Sequence, residues 1–336
     1  MITIKRNRLT VLLIVALLLA ALNLLVGVWS HRLFYYKKLE VIRTAQDPNL
    51  LFMGNSLVDQ SVDERALVQA SLDPQLKPLN GALGGTRPPE QRLLFEYAVR
   101  THPGIRTLVL GFYDFQMTEP DRTQVADLVG NRMVGIDPRF PISEVASVYG
   151  FGPMDEMGIE TLRLLPMVAN RGNALAYVEM MRRWRFVQQL RRSMESMGML
   201  HVDPNALVGG DGRPVIESAD LDNFDASART FLEHPDHFNA SYEAIFDQAS
   251  NAGMHVIILV MPIAPFHRAT YYSRPLWRDY LSALTKLAAR RNIRVIDGSD
   301  WQPLPEDFDD HVHLSRQGAH RFSIILGGEL SRTAYQ

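Results

Sequence analysis

The chain has 336 residues, 46% of them hydrophobic, which suits one large or two small globular domains and excludes a disordered or fibrous chain. A formal net charge of -2 provides no basic face for nucleic acid and excludes that class of partner. Cysteine is absent, which excludes a disulfide framework, thiolate metal sites and a cysteine nucleophile.

Residues 1–8 read as a short basic tail carrying Lys5, Arg6 and Arg8. Leu9 to Trp29 is an uncharged apolar run; as a helix its roughly 21 residues span about 31 Å, the thickness of a bilayer's hydrocarbon core. A cleavable signal has a shorter apolar region and a small-residue cleavage site, whereas this run ends in Val28-Trp29-Ser30-His31-Arg32. The reading is an uncleaved anchor over 9–29, with a cleaved signal as the alternative. Arg32, Lys37 and Lys38 nearly balance the charges ahead of the span, but the tail with its free amine still favours staying inside. That predicts a single-pass protein of the inner or cytoplasmic membrane with its C-terminal domain outside the cytoplasm. Trp29, Tyr35 and Tyr36 suit the interfacial belt on the far side.

Residues 30–47 read as a juxtamembrane segment with a short helix ending at the Asp47-Pro48-Asn49 turn, and the remaining domain as 48–336. There strands and helices alternate: a strand at 50–53, a helix around 62–71, a strand at 78–83, a helix at 88–101 and a strand at 107–113. The alternation returns with a helix at 240–252, a strand at 255–262, a helix at 275–291, a strand at 294–298 and a last helix at 315–331. The strands are unbroken apolar runs such as "LLFM" and "HVIILVMP", which indicates burial on both faces. The expected fold is α/β: a doubly wound, mainly parallel sheet in a flavodoxin-like three-layer sandwich, with sites at the carboxyl ends of its strands. The rhythm fails between about 118 and 235, read as a helical insertion. Its segment 177–197 sets Tyr177, Met180, Trp184, Val187, Met194 and Met197 at helical spacing among five arginines. That reads either as a core stripe with a solvated basic face or as a lid or membrane-facing surface.

Two segments concentrate residues capable of chemistry. In "MGNSLVDQS" Ser56 follows the first strand, where it serves either as a helix cap or as a nucleophile. In "DFDDHVHLSRQGAHRF" Asp310 and His313 stand three apart ahead of the last helix. That spacing lets a carboxylate orient an imidazole whose other nitrogen points outward, as a general base requires. Asp309, Asp310, His311 and His313, with Glu233, His234, Asp236 and His237, offer metal-ligand chemistry as an alternative, but in no known metal-motif spacing. Neither a metal nor a cofactor is expected. Asp59, Asp63 and Glu64 read as first-turn acids complementing a helix dipole, Asp297 as a cap or turn residue, and Arg87 and His267 as loop residues at the same sheet edge, with substrate contact as their functional alternative.

Together, "GNS" and "DHVH" resemble the first and last sequence blocks of the SGNH (GDSL-type) hydrolase superfamily. The resemblance covers about residues 48–116 and 240–330. It implies Ser56 as nucleophile, His313 as base and Asp310 as its orienter. The second block resembles "LNGALGGTRPPE", which makes Gly85 the candidate oxyanion donor beside the Ser56 amide. Asn55 stands where Asp is commoner. The third block's Asn, another oxyanion donor, has no counterpart in "LGFYDF"; Tyr113, Asp114 and Asn80 are the substitutes to weigh, and its loss argues against a fast, general esterase. With the anchor, the combination resembles extracytoplasmic members that assist polysaccharide or teichoic-acid O-acylation. That implies an acyl donor and an envelope polysaccharide as partners, beside a polytopic membrane-bound O-acyltransferase. The alternatives are a carbohydrate or lipid esterase of the same fold and an inactive glycan-binding module.

Overall fold

The structure is a computed structural model describing residues 2–31, 33–119, 133–170, 218–302 and 304–333. In chain order its elements begin with α1 (Ile2–Ser30), α2 (Phe34–Thr44), β1 (Leu50–Met53), α3 (Ser56–Ser61), α4 (Glu64–Ala70), β2 (Pro78–Asn80), α5 (Pro88–Thr101) and β3 (Thr107–Phe112). They continue with α6 (Ile142–Tyr149), α7 (Pro153–Leu164), α8 (Pro166–Ala169), α9 (Ser218–Glu233), α10 (Ala240–Asn251), β4 (His255–Val260), α11 (Pro275–Ala289), β5 (Arg294–Asp297) and α12 (Arg316–Thr333).

The five strands form one parallel sheet in the order β2-β1-β3-β4-β5. Leu50, Leu51, Phe52 and Met53 are all buried. Because successive side chains on a strand point to opposite faces, both faces of the sheet are covered. Helices α3, α4 and α12 pack as one group, and α2, α5, α6 and α10 as another. The order is that of flavodoxin-like sheets, whose topological switch point lies between β1 and β3. In register, Phe52 pairs with Asn80 on one side and Val109 on the other, so the loops leaving β1, β2 and β3 emerge side by side.

Most strands and the long helices fall where the sequence rhythm puts them. Two differences have local causes. The helix expected around 62–71 forms as α4, but a further short helix, α3, precedes it; Asp63 separates the two by turning its carboxylate back onto the amides of Arg65 and Ala66 and capping α4. The strand expected at 78–83 pairs only over Pro78–Asn80: Asn80 Oδ1 accepts from the Ala82 amide, an Asx turn that bends the chain away from the sheet. Helix α2 buries Leu39 and Ile42 completely in the same core as the sheet. Of the segment read as an insertion, α6 packs on α5, α7 on α6 and α8, and α8 on α1. The Met- and Arg-rich stretch 177–197 lies outside the described residues.

Lys38 on α2 ties this outer helix to the switch point. Its Nζ donates to Asp59 Oδ1 at 2.7 Å and to the Asn80 carbonyl at 3.2 Å, while Asp59 Oδ2 accepts from the Gly84 amide at 3.2 Å. Asp59 is therefore a bridge between α3 and the loop after β2, beyond the dipole role expected of it. Hydrogen bonds to charged groups of this kind contribute about 1.5–3 kcal/mol. Lys38→Met is accordingly expected to lower unfolding free energy by about 1–2 kcal/mol in chemical denaturation, and an unchanged midpoint would show that the bridge is dispensable.

Candidate active site

The first arm of the site is the turn that leaves β1. Gly54 has φ +153°, and its carbonyl accepts from the Leu83 amide at 3.2 Å and from Thr86 Oγ1 at 3.3 Å. Those bonds anchor the glycine-rich loop after β2 directly to the turn. Asn55 is the N-cap of α3, its Oδ1 accepting from the Leu57 amide at 3.0 Å. Ser56 is the first helical residue. This corrects the reading of Ser56 as the cap: its hydroxyl has no capping duty, because the shorter-reaching geometry of an Asx turn already serves the free amide.

The second arm is the loop before α12. Phe308 and Leu314 form an isolated antiparallel bridge, the Asp309 amide donates to the His313 carbonyl at 2.9 Å and the Ser315 amide to the Asp307 carbonyl at 2.7 Å. Gly318, on the first turn of α12, lets that turn close against the Asp307 carbonyl, where any Cβ would collide with backbone. Inside this tight loop Asp310 Oδ1 accepts from the amides of Val312 at 2.8 Å and His313 at 2.7 Å, while Oδ2 accepts from His313 Nδ1 at 2.8 Å. The other imidazole nitrogen, Nε2, stands 2.9 Å from Ser56 Oγ. A proton on Nδ1 leaves the Nε2 lone pair directed at the serine hydroxyl, the arrangement of a general base with an oriented tautomer.

Burial pushes the Asp310 carboxyl up, but the two backbone amides and then the imidazole outweigh it and hold the group below its ordinary value. A carboxyl held low in the folded state adds stability that is present above the unfolded carboxylate range and is lost as pH falls through the lowered folded value. Asp310→Asn is therefore expected to melt below wild type at neutral pH, with the gap closing in acid. Parallel melting curves across that range would contradict it. The same variant is expected to lower turnover by up to about 10⁴-fold, because an amide can hold the wrong tautomer.

The remaining candidates are distributed around this relay. Gly85 is exposed, at φ +76°, on the loop tied to Gly54. Arg87 is exposed and N-caps α5, its amide donating to Glu90 Oε2 at 2.7 Å. Asn80 is buried and its Nδ2 donates to the carbonyls of Val58 at 3.3 Å and Asp59 at 3.2 Å. Both of its amide protons thus brace the loop against α3. Tyr113 is half-buried, its phenol pushed up by burial with Asp114 and Glu119 adding to the effect. Asp114, at φ +49°, donates its amide to Tyr272 Oη at 2.9 Å and faces His267 Nε2 at 3.3 Å through Oδ1. Its Oδ1 is thus taken up by His267.

Sequence reasoning missed how these loops are joined. Asn55 Nδ2 donates to Gln116 Oε1 at 3.4 Å, the Ala264 amide donates to the His311 carbonyl at 3.2 Å, and the rings of His267 and His311 stack 5.9 Å apart. No local pattern announces such contacts. Of the alternative metal cluster, Asp310 and His313 face each other and Ser56, and Asp236 pairs with His237 at the surface. Among the described residues no three acidic or histidine side chains converge on one point. His313 and Asp310 are 25% and 46% exposed, so the relay opens to solvent along the sheet edge.

No known protein family model matches the sequence, and no curated protein matches it. Several solved structures align over most of the chain. A Streptococcus pneumoniae protein described as a proposed platelet activating factor is 14% identical with TM-score 0.34, over 94% of this chain and 98% of its own. A proposed acylhydrolase from Bacteroides fragilis is 9% identical with TM-score 0.40, over 89% and 96%. A GDSL-like lipase from Bacteroides thetaiotaomicron is 10% identical with TM-score 0.37, over 90% and 98%. Likenesses this distant assign no family or activity. Ser56, Asp310 and His313 carry the functional reading by their own geometry.

Proposed function

We propose that the protein is a membrane-anchored, extracytoplasmic SGNH-like acyltransferase acting on a cell-envelope glycan through an acyl-enzyme on Ser56. The observation that carries this reading is the continuous relay Asp310–His313–Ser56 at the β1/β3 switch point. His313 takes the hydroxyl proton as Ser56 Oγ attacks the carbonyl carbon of an acyl ester or thioester; the tetrahedral intermediate collapses and His313 returns that proton to the leaving group. A glycan hydroxyl then gives its proton to His313 and attacks the acyl-serine, which releases the new ester and restores Ser56. The amides of Ser56 and Gly85 are the assigned oxyanion donors, each worth roughly 3 to 4 kcal/mol of transition-state stabilisation.

Two features favour a membrane-side transferase over a soluble esterase. The helix Thr10–Ser30 is long and apolar enough to cross a bilayer, and Lys38, which is bonded to Asp59 of the nucleophile's helix, lies eight residues past Ser30. Even fully extended, those residues reach about 28 Å, which keeps Ser56 near the membrane surface where a lipid-borne or channelled acyl donor emerges. The open relay admits a polymer. A polytopic O-acyltransferase is the partner this reading assigns for donor supply, and the inner or cytoplasmic membrane is its location. Hydrolysis is the same chemistry with water as acceptor. The inactive binding module draws its support from the third-block substitutes, since Asn80 and Asp114 are both engaged elsewhere.

The test uses the detergent-solubilised full chain, an activated acetyl ester and a glycan oligosaccharide. Acetyl-Ser56 in intact-mass spectra, discharged faster by oligosaccharide than by water, is the expected result. Discharge by water alone assigns the esterase, and no acylation under any donor assigns the binding module.

A further inference from the structure

Asn23 is a polar residue in the apolar helix α1, and within hydrocarbon an unpaired carboxamide is costly. Its partners come from the far side of the chain. Asn23 Nδ2 donates to the Leu164 carbonyl at 3.0 Å, and its Oδ1 accepts from the Met167 amide at 3.1 Å. One turn further along α1, a Cβ at Gly27 would come 3.4 Å from Pro166 Cγ. The corner between α7 and α8 is therefore seated on α1 from Asn23 to Gly27, and it offers Asn23 backbone groups that the end of one helix and the start of the next leave over.

That seat fixes a depth. The candidate span runs Thr10–Ser30, and Asn23 lies seven residues inside its outer end, about 10 Å along the helix. A corner bonded to Asn23 sits at the level of the outer-leaflet acyl chains. Leading into that corner, Met154, Met157, Thr161 and Leu164 recur at intervals of three, four and three along α7 and so share one face. Met154, Met157 and Leu164 are 74%, 54% and 76% exposed. This apolar face is continuous with the outer half of α1, where Leu24, Leu25 and Val28 are equally exposed.

From that continuity and depth we infer that α7 is an interfacial helix whose Met154–Leu164 face takes lipid acyl chains of the outer leaflet, docking the domain on the bilayer in one orientation. The inference rests on the reading of α1 as a membrane span. It gives the anchor a second, lateral foothold: a single helix leaves the domain free to rotate about the chain, whereas a helix and an interfacial corner together set the height and facing of the sheet edge that carries Ser56.

The absence of cysteine makes the test clean, since each introduced thiol takes a single label. Met157→Cys, Leu164→Cys, Leu17→Cys and Asn251→Cys full-length proteins, labelled with an environment-sensitive nitrobenzoxadiazole, are reconstituted in phosphatidylcholine–phosphatidylglycerol vesicles with or without chain-spin-labelled lipid. Leu17 reports the span, and Asn251 the exposed opposite end of the domain. Labels at Met157 and Leu164 are expected to be quenched about threefold or more over Asn251, as for an apolar face in the acyl region. Adding Asn23→Leu is expected to bring the Met157 signal toward that of Asn251. Quenching at Leu17 with none at Met157 and Leu164 overturns the inference alone and leaves that face to a protein partner. Failure to quench at Leu17 overturns the membrane span and the inference with it.

Discussion

Ser56→Ala is expected to abolish labelling by a fluorophosphonate probe and to lower acyl transfer by about 10⁴- to 10⁶-fold, the loss typical of removing a nucleophile from a coupled triad. It is expected to leave the fold nearly untouched, with unfolding free energy within about 1 kcal/mol of wild type. The second half of that expectation comes from the division of labour at the turn: Asn55 caps α3 and Ser56 faces His313. The complementary variant, Asn55→Ala, is expected to cost about 1 kcal/mol of stability through the lost cap. If Ser56→Ala destabilised the protein by as much and labelled like wild type, Ser56 would be a cap and the relay incidental.

Gly54→Ala is expected to have the largest effect on folding, about 3–5 kcal/mol from left-handed backbone strain and overpacking together. At φ +153° a side chain is strained before any contact is counted. An added methyl would also stand 2.8 Å from the Gly111 carbonyl oxygen of β3, and closer still to Val58 Cγ2. Neither neighbour yields easily, since Gly111 belongs to β3 of the sheet and Val58 is a buried residue of α3. Thermal unfolding checks it: a Tm within a few degrees of wild type would mean that β1 and α3 separate without cost. The site would follow the backbone, because Gly54 also accepts the bonds from Leu83 and Thr86 that hold the second-block loop beside Ser56.

How much of this was legible in advance depends on how local each cause is. The apolar runs within Leu50–Met53, Thr107–Phe112 and His255–Val260 are short and unbroken, as strands covered on both faces are, and past the first residues of β3 and β4 every side chain is buried. The Asp310–His313 pair was also legible, because a three-residue spacing fixes an Asp–His pair within one loop, whereas Ser56 was singled out by the resemblance of its block. The break at Asp63 and the short β2 were not: at each, a carboxylate or carboxamide competes with the regular backbone pattern for nearby amides. Lys38 read as one more charge past the anchor. Only the docking of α2 on the core makes it the clamp on Asp59.

By itself, then, the sequence determined the parallel α/β fold and the apolar N-terminal helix, and singled out Ser56, Asp310 and His313 as candidate site residues. Periodicity, run length and short spacing are properties of neighbouring residues, and they survive without knowledge of what lies across the molecule. The tertiary structure alone decided that His313 Nε2 meets Ser56 Oγ across 257 positions of chain, that Asn80 and Asp114 are engaged by other groups, and that the α7–α8 corner rests on Asn23. Those contacts depend on how helices and strands far apart in the chain are brought together. Which of many chemically plausible partners a polar group takes is settled by packing, where a shift of an ångström makes or breaks the bond.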